Sequence, residues 1–346
     1  GTLLSEWIPP GRADADFAGR IRAGQVELER AQSRHPDLEL DATGQGTTKE
    51  FESLDVRFSM RKVAPWLAIW QPDLPFRGPL RGEAQLRGRI ENPAGRVWLR
   101  SDRPLFSNER IGALNLEIER TPGQPADLAL LIGDPAAPHL RLDARIDAET
   151  EHVEFEGSTT VGAWAPLIAN APDVDGEVLV SGFLKNARQG PLFALELRSP
   201  EIDLDGANVG RVDLAVARST AGALHVSELS IDGPSGTLRV EDPLPVRVKG
   251  DRWTFEAAAF EVVLPEESGQ PGSVRLDAAG RGGTLASAEA EIAGLPVAVF
   301  HRLRGDAALR QLAGRLDGKA HYWDSTASGW TVGELEWSQP SIGDVA

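Results

Sequence analysis

The chain has 346 residues, and its 52 Asp and Glu against 36 Lys and Arg leave a net charge of −16, which argues against a phosphate-backbone partner. It has no cysteine, which excludes a disulfide framework, a Cys-ligated zinc site and a thiol nucleophile. No apolar run reaches the length of a membrane-spanning helix; TTVGAWAPLIANAP (159–172), the longest uncharged stretch near a Trp, is too short and too broken.

The chain opens with an apolar segment, LLSEWIPPG (3–11), whose Pro9 and Pro10 disfavour a helix. It leads into FAGRI (17–21), a hydrophobic–x–Gly–x–hydrophobic phrase. The phrase returns as LRGRI (86–90), VSGFL (180–184) and LAGRL (312–316), centred on Gly19, Gly88, Gly182 and Gly314. A glycine inside a strand pattern predicts a bulge or a close approach of another segment. Three short apolar segments precede the later phrases: KVAPWLAIW (62–70), GAWAPLIA (162–169) and VAVFHRLR (297–304). They are the predicted helices, few and short.

Elsewhere a period of two dominates. LRLDARIDA (140–148) puts Leu140, Leu142, Ala144, Ile146 and Ala148 on one side and Arg141, Asp143, Arg145 and Asp147 on the other. FALELR (193–198), VDLAVA (212–217), LRVE (238–241), VRVK (246–249), WTFEA (253–257) and VRLDA (274–278) alternate in the same way. Each predicts a strand with one wet and one apolar face. TPGQP (121–125), GDPAAP (133–138), DGPSG (232–236) and EESGQPG (266–272) supply the turns. The fold class is all-β: an elongated, curved antiparallel sheet with short apolar helices between repeats.

Repetition shows in the spacing. Trp66 and Trp164, LRS at 99–101 and 197–199, and IGALNL (111–116) and VGRVDL (209–214) are each 98 residues apart. GEAQLRGRIEN (82–92) matches GEVLVSGFLKN (176–186) at 94, which predicts a hairpin turn four residues longer in one copy. Phe300 follows Trp164 by 136 residues, leaving room for extra strands over 224–279. The expectation is one elongated repeat body over 1–346, with approximate units 1–60, 61–158, 159–294 and 295–346. Roughly twenty strands at about 4.8 Å would make it on the order of 100 Å long.

Motifs for chemistry are scarce. The histidines at 35, 139, 152, 225, 301 and 321 show no metal-ligand spacing. AHYWD (320–324) groups His321 with Asp324, and a surface or turn position is the better reading. GPSG (233–236) and GRGG (280–283) read as turns; no glycine-rich loop leads into Lys–Ser/Thr. DVDG (173–176) and DLDG (203–206) begin like calcium loops but lack the later ligands. Carboxylates are too numerous for spacing to nominate an acid–base pair. No catalytic residue, metal or cofactor is assigned, and the chain reads as non-enzymatic.

The apolar faces remain. Ile118, Leu142, Ile146, Phe155, Val180, Leu195, Leu197, Leu214, Val216, Val240, Val248 and Phe255 are predicted to line one continuous face. Arg141, Asp143, Glu196, Arg198, Asp213, Arg239 and Arg247 are predicted on the opposite, solvated face. That apolar face is either the dry core of a closed sandwich or the floor of an open trough. No amphipathic helix is at hand to roof it.

The Trp-containing apolar stretches, strands such as LRGEAQLRGRI and QLAGRLDGKAHYW, and the run FALELRSPEIDLDGANVGRVDLAVA resemble the AsmA-like superfamily of bacterial envelope lipid-transport proteins, both TamB-like and YhdP-like. An L-x-S-P-x-I-D-L strand paired with V-G-x-V-D-L is typical of that superfamily. The likeness is one of repeat grammar and covers nearly the whole chain. It implies an internal segment of a β-structured bridge in the periplasm, a "β-taco" serving outer-membrane biogenesis. Phospholipid acyl chains would move through its groove between inner and outer membranes, with the twelve apolar residues as lining. The resemblance places membrane attachment, including an inner-membrane anchor, in regions outside this chain, and allows an unidentified envelope protein partner. The alternative is an extracellular carbohydrate-binding or adhesive β-solenoid with aromatic platforms on its outer face. Trp98, between Val97 and Leu99, would point outward if they point in. A polysaccharide-degrading β-helix would instead need carboxylates converging on one groove.

Overall fold

The computed structural model describes residues 14–22, 24–65, 67, 75–167, 173–186, 192–204, 206–218, 223–234, 236–240, 242–249, 251–264, 271–281, 284–298, 312–323 and 329–342. The alternating segments all become antiparallel β-structure, in two compact units, Gly1–Ala171 and Pro172–Ala346.

In the first unit the strands are β1 (Asp14–Arg22), β2 (Gln25–His35), β3 (Leu38–Thr47), β4 (Glu50–Met60), β5 (Phe76–Arg77), β6 (Leu80–Arg89), β7 (Ala94–Ser101), β8 (Leu105–Phe106), β9 (Glu109–Arg110), β10 (Leu114–Arg120), β11 (Ala126–Asp134), β12 (Ala137–Asp147) and β13 (His152–Thr160). A meander pairs β1–β2–β3–β4–β6–β7–β10–β11–β12–β13. Strands β5, β8 and β9 form a separate small sheet.

The second unit contains β14 (Val174–Lys185), β15 (Leu192–Leu204), β16 (Ala207–Arg218), β17 (Leu224–Gly233), β18 (Gly236–Val240), β19 (Leu244–Lys249), β20 (Arg252–Val263), β21 (Gly272–Arg281), β22 (Thr284–Pro296), β23 (Leu312–Trp323) and β24 (Gly329–Ile342). Strands β14 to β17 and β20 to β24 pair in sequence. Between them β18 and β19 share one position, each bonded to both β17 and β20. The break includes Pro243, which has no N–H to give to a ladder.

The predicted helical segments are described only in part. Ala64, Pro65 and Leu67 are helical, with the Leu67 N–H donating to the Val63 carbonyl at 3.0 Å. In segment 162–169 a 3-10 helix covers Val161–Leu167, pinned by the Trp164 Nε1–H donating to Thr159 Oγ1 at 2.6 Å, and 168–169 lie outside the described residues. Of 297–304 only the first two residues are described; Phe300, Trp66, 68–70 and segment 3–11 lie outside the described residues. Val63 and Val297 act as plugs. They are 2% and 6% exposed, and their N–H groups donate to Gly78 and Gly314 at 3.0 Å.

Of the four repeated glycines, Gly19 and Gly314 sit at register shifts in β1 and β23. Gly88 adjoins a shift on β4. Gly182 departs from the expectation: it pairs with Leu195 in an unbroken ladder.

The 98-residue repeat is a repeat of register. Phe76 pairs with Phe106 and Val174 with Leu204; Gly82 with Leu99 and Val180 with Leu197; Arg87 with Ala94 and Lys185 with Leu192. Every member is 98 residues from its counterpart. The two hairpins are therefore equally long, and the GEAQLRGRIEN/GEVLVSGFLKN match at 94 is not a structural equivalence. It follows the small-residue composition of both strands rather than their pairing. The serines of the two LRS triplets explain the offset. Ser101 and Ser199 are 2% exposed, and each hydroxyl donates to a carbonyl 22 residues back, Pro79 at 2.5 Å and Glu177 at 2.7 Å. Ser101→Ala or Ser199→Ala should cost about 1–2 kcal/mol by stranding that carbonyl, whereas exposed Ser59→Ala should change nothing measurable; urea unfolding checks both.

Candidate functional site

Directly opposed residues on antiparallel strands share a face, so the register defines what each side of the sheet carries. Across the first unit one row runs Phe17–Ala31–Ala42–Val56–Ala84–Val97–Ile118–Leu128–Ala144–Phe155. It crosses all ten strands of the meander without a polar residue. Leu142 and Ile146, two residues either side of Ala144, face the same way. In the second unit Val180–Leu197–Leu214–Leu229 forms one row, with Leu195 and Val216 paired beside it. Val240 pairs with Phe260, Val248 with Trp253, and Phe255 with Val246 and Ala278, all on that face. The twelve predicted residues thus lie on one apolar face within each unit.

Arg141, Asp143, Glu196, Arg198, Arg239 and Arg247 stand on the other face. Asp213 does too, but it is not solvated as expected. It is only 8% exposed, held by Arg211 Nε at 2.7 Å with Arg198 Nε at 4.0 Å. The Arg211 guanidinium is correspondingly raised above its ordinary value, first by that hydrogen bond and then by the Asp213 charge. The exposed Asp147 carboxyl lies below its usual range, chiefly through a hydrogen bond from the Thr150 side chain and the Glu149 N–H.

The apolar face is incompletely covered. Among the described residues no Phe or Trp is buried, and the largest fully buried side chains are Val63, Pro104, Pro296 and Ser101. Phe17 is 71% and Ile21 78% exposed; of the twelve predicted lining residues Val248 is 59% exposed and the other eleven are half-buried. Coverage changes along β20–β22, where the same face turns to alanine. There Ala258, Ala278, Ala288 and Ala290 are 2–7% exposed. Trp253 lies over Gly280 and stacks on Phe255 with ring centroids 5.9 Å apart.

The charged face carries shallow depressions of about 570 Å³ and 380 Å³ that share Asp55 and Gln85. Their walls are cross-strand ion pairs such as Arg57–Glu83 at 3.4 Å, both partners exposed, which serve solubility more than stability. Trp98 does stand on this face, between Glu83 and Glu117. Phe183 is a second aromatic on that face. Among the described residues no group of three His, Asp or Glu converges to hold a metal. His321 lies inside β23 opposite Glu289 rather than in a turn, and Asp324 lies outside the described residues.

Sequence reading missed two residues. Arg120 continues the apolar series Leu114, Leu116, Ile118, and Arg218 continues Val212, Leu214, Val216. Their signal is the spacing of 98 residues between them. Comparison with known proteins finds no family model, no curated protein and no solved structure that matches this chain.

Proposed function

We propose that this chain is a non-catalytic conduit for phospholipid acyl chains, carried on its apolar face, and that it works in the periplasm as part of a bridge between inner and outer membranes. The observation that carries this reading is the unbroken apolar row from Phe17 to Phe155 across ten strands, half-buried to exposed at every position but the buried Ala31. Moving a tail through water exposes it at about 0.8 kcal/mol per CH₂, and a continuous apolar lining removes that cost without any reactive group. The resemblance to AsmA-like proteins supports the same conclusion, including the membrane attachment through regions outside this chain.

Native mass spectrometry of chain purified without detergent tests it. Adducts with the masses of two-tailed phospholipids are expected; a preparation free of lipid after incubation with phospholipid vesicles would overturn the reading. Trp98 favours a second reading, a surface that binds carbohydrate on the charged face. Retention on immobilised glycan, lost in Trp98→Ala, would establish it instead.

A further inference from the structure

The apolar face bears almost no charge. In the second unit, Arg218 is the one charged side chain on it among the described residues; it pairs with Phe193 and Leu224, between Val216 and the strand end. In the first unit Arg120 holds the equivalent place, paired with Gly95 and Ala126 two residues beyond Ile118. Among the described residues the only other titratable group on that first face is His35, buried at the far end of β2. Arg120 and Arg218 are 98 residues apart, the interval that relates the serine hooks and every hairpin pair described above.

A chain of net charge −16 has little reason to place its two apolar-face charges at register-equivalent positions, both positive and both half-buried, unless they meet something negative. Each stands at the C-terminal margin of its strand, where an apolar floor meets a turn. The Arg120 Nε–H donates to the Gln124 carbonyl at 3.2 Å, which steadies the side chain beside that turn.

We propose that Arg120 and Arg218 are phosphate-binding steps, one in each unit, that hold the headgroup of a phospholipid whose tails lie on the adjoining apolar face. This rests on the acyl-chain reading and adds to it a headgroup preference. A guanidinium at the margin of an apolar surface satisfies both halves of such an amphiphile: the face takes the tails, and paired N–H donors take the phosphate oxygens.

The test compares fluorescent phosphatidic acid with fluorescent diacylglycerol carrying the same tails, titrated into the whole chain in detergent-free buffer. Wild type is expected to bind the phosphatidic acid roughly tenfold more tightly. The R120Q/R218Q double variant should bind both alike, at the wild-type diacylglycerol affinity. R120K/R218K should keep most of the preference, and R141Q/R247Q, on the charged face, all of it. Equal wild-type affinity for both probes would overturn the headgroup steps and leave the acyl-chain reading standing. Binding of neither probe would overturn both. Inorganic phosphate binding in calorimetry that is lost in R120Q/R218Q, without lipid discrimination, would also overturn the proposal, by assigning the site to free phosphate.

Discussion

Leu197→Asp should fold with a near-native circular dichroism spectrum and a modest loss of Tm, yet no longer retain phospholipid. Leu197 lies in the row Val180–Leu197–Leu214–Leu229 and is half-buried, so a carboxylate there keeps its water in the lipid-free chain. Once tails cover the face that hydration is lost, and the unpaired charge opposes binding by several orders of magnitude. Phe255→Asp should behave likewise. Ala258→Asp, on the same face but 2% exposed, has no water to keep and should cost on the order of 4 kcal/mol or more, enough to unfold its unit. Glu196→Lys, one residue from Leu197 on the opposite face, should leave folding and lipid nearly unchanged. It removes only the exposed pair with Arg198 at 3.0 Å. If Leu197→Asp abolishes folding, the face is a sealed core at that point. If the variant folds and still carries lipid, this position is not part of the lining.

Gly210→Ala should be strongly destabilising. Gly210 has φ +95°, and an added Cβ would lie 2.4 Å from the Cα of Gly233 and 2.3 Å from the Asp232 carbonyl oxygen. Neither neighbour is a flexible side chain, so the β16–β17 ladder itself must move. Gly112, its counterpart 98 residues earlier, meets the Cα of Gly133 at 2.8 Å in the same way. Each alanine should cost about 2–3 kcal/mol, roughly 5–10 °C in Tm for a unit of this size. Gly88→Ala isolates the strain from the collision. Its φ is +85° but nothing lies within 4 Å of the added carbon, so about 1 kcal/mol is expected. Differential scanning calorimetry of the three variants orders them. Equal losses at Gly88 and Gly210 would show that the close approach of the two glycines contributes nothing.

Local alternation was enough to locate β12, β15, β16 and β19 to β21, because side chains on a strand must point to opposite faces and only one face of these strands is apolar. It also placed Leu142, Leu197 and Phe255 correctly relative to Arg141, Glu196 and Thr254. A period of two survives any arrangement of the strands around it. Repetition was legible for the same reason: Trp66 and Trp164 and the two LRS triplets mark one interval whatever they pack against.

Pairing lay beyond local pattern. The strand match at 94 looked as good as the true one at 98, and only the buried hydroxyls of Ser101 and Ser199, each bonded to a carbonyl 22 residues back, select the register. Asp213 looked like any solvated carboxylate until the neighbouring strand brought Arg198 beside it to share it with Arg211. Whether the apolar face is covered was equally out of reach, since alternation says which way a side chain points and not what lies above it. The alanines at 258, 278, 288 and 290 are buried, while in the other unit the larger apolar-face side chains of β1 are exposed. That difference, and the placing of Arg120 and Arg218 on the apolar side, belong to contacts between strands far apart in the chain.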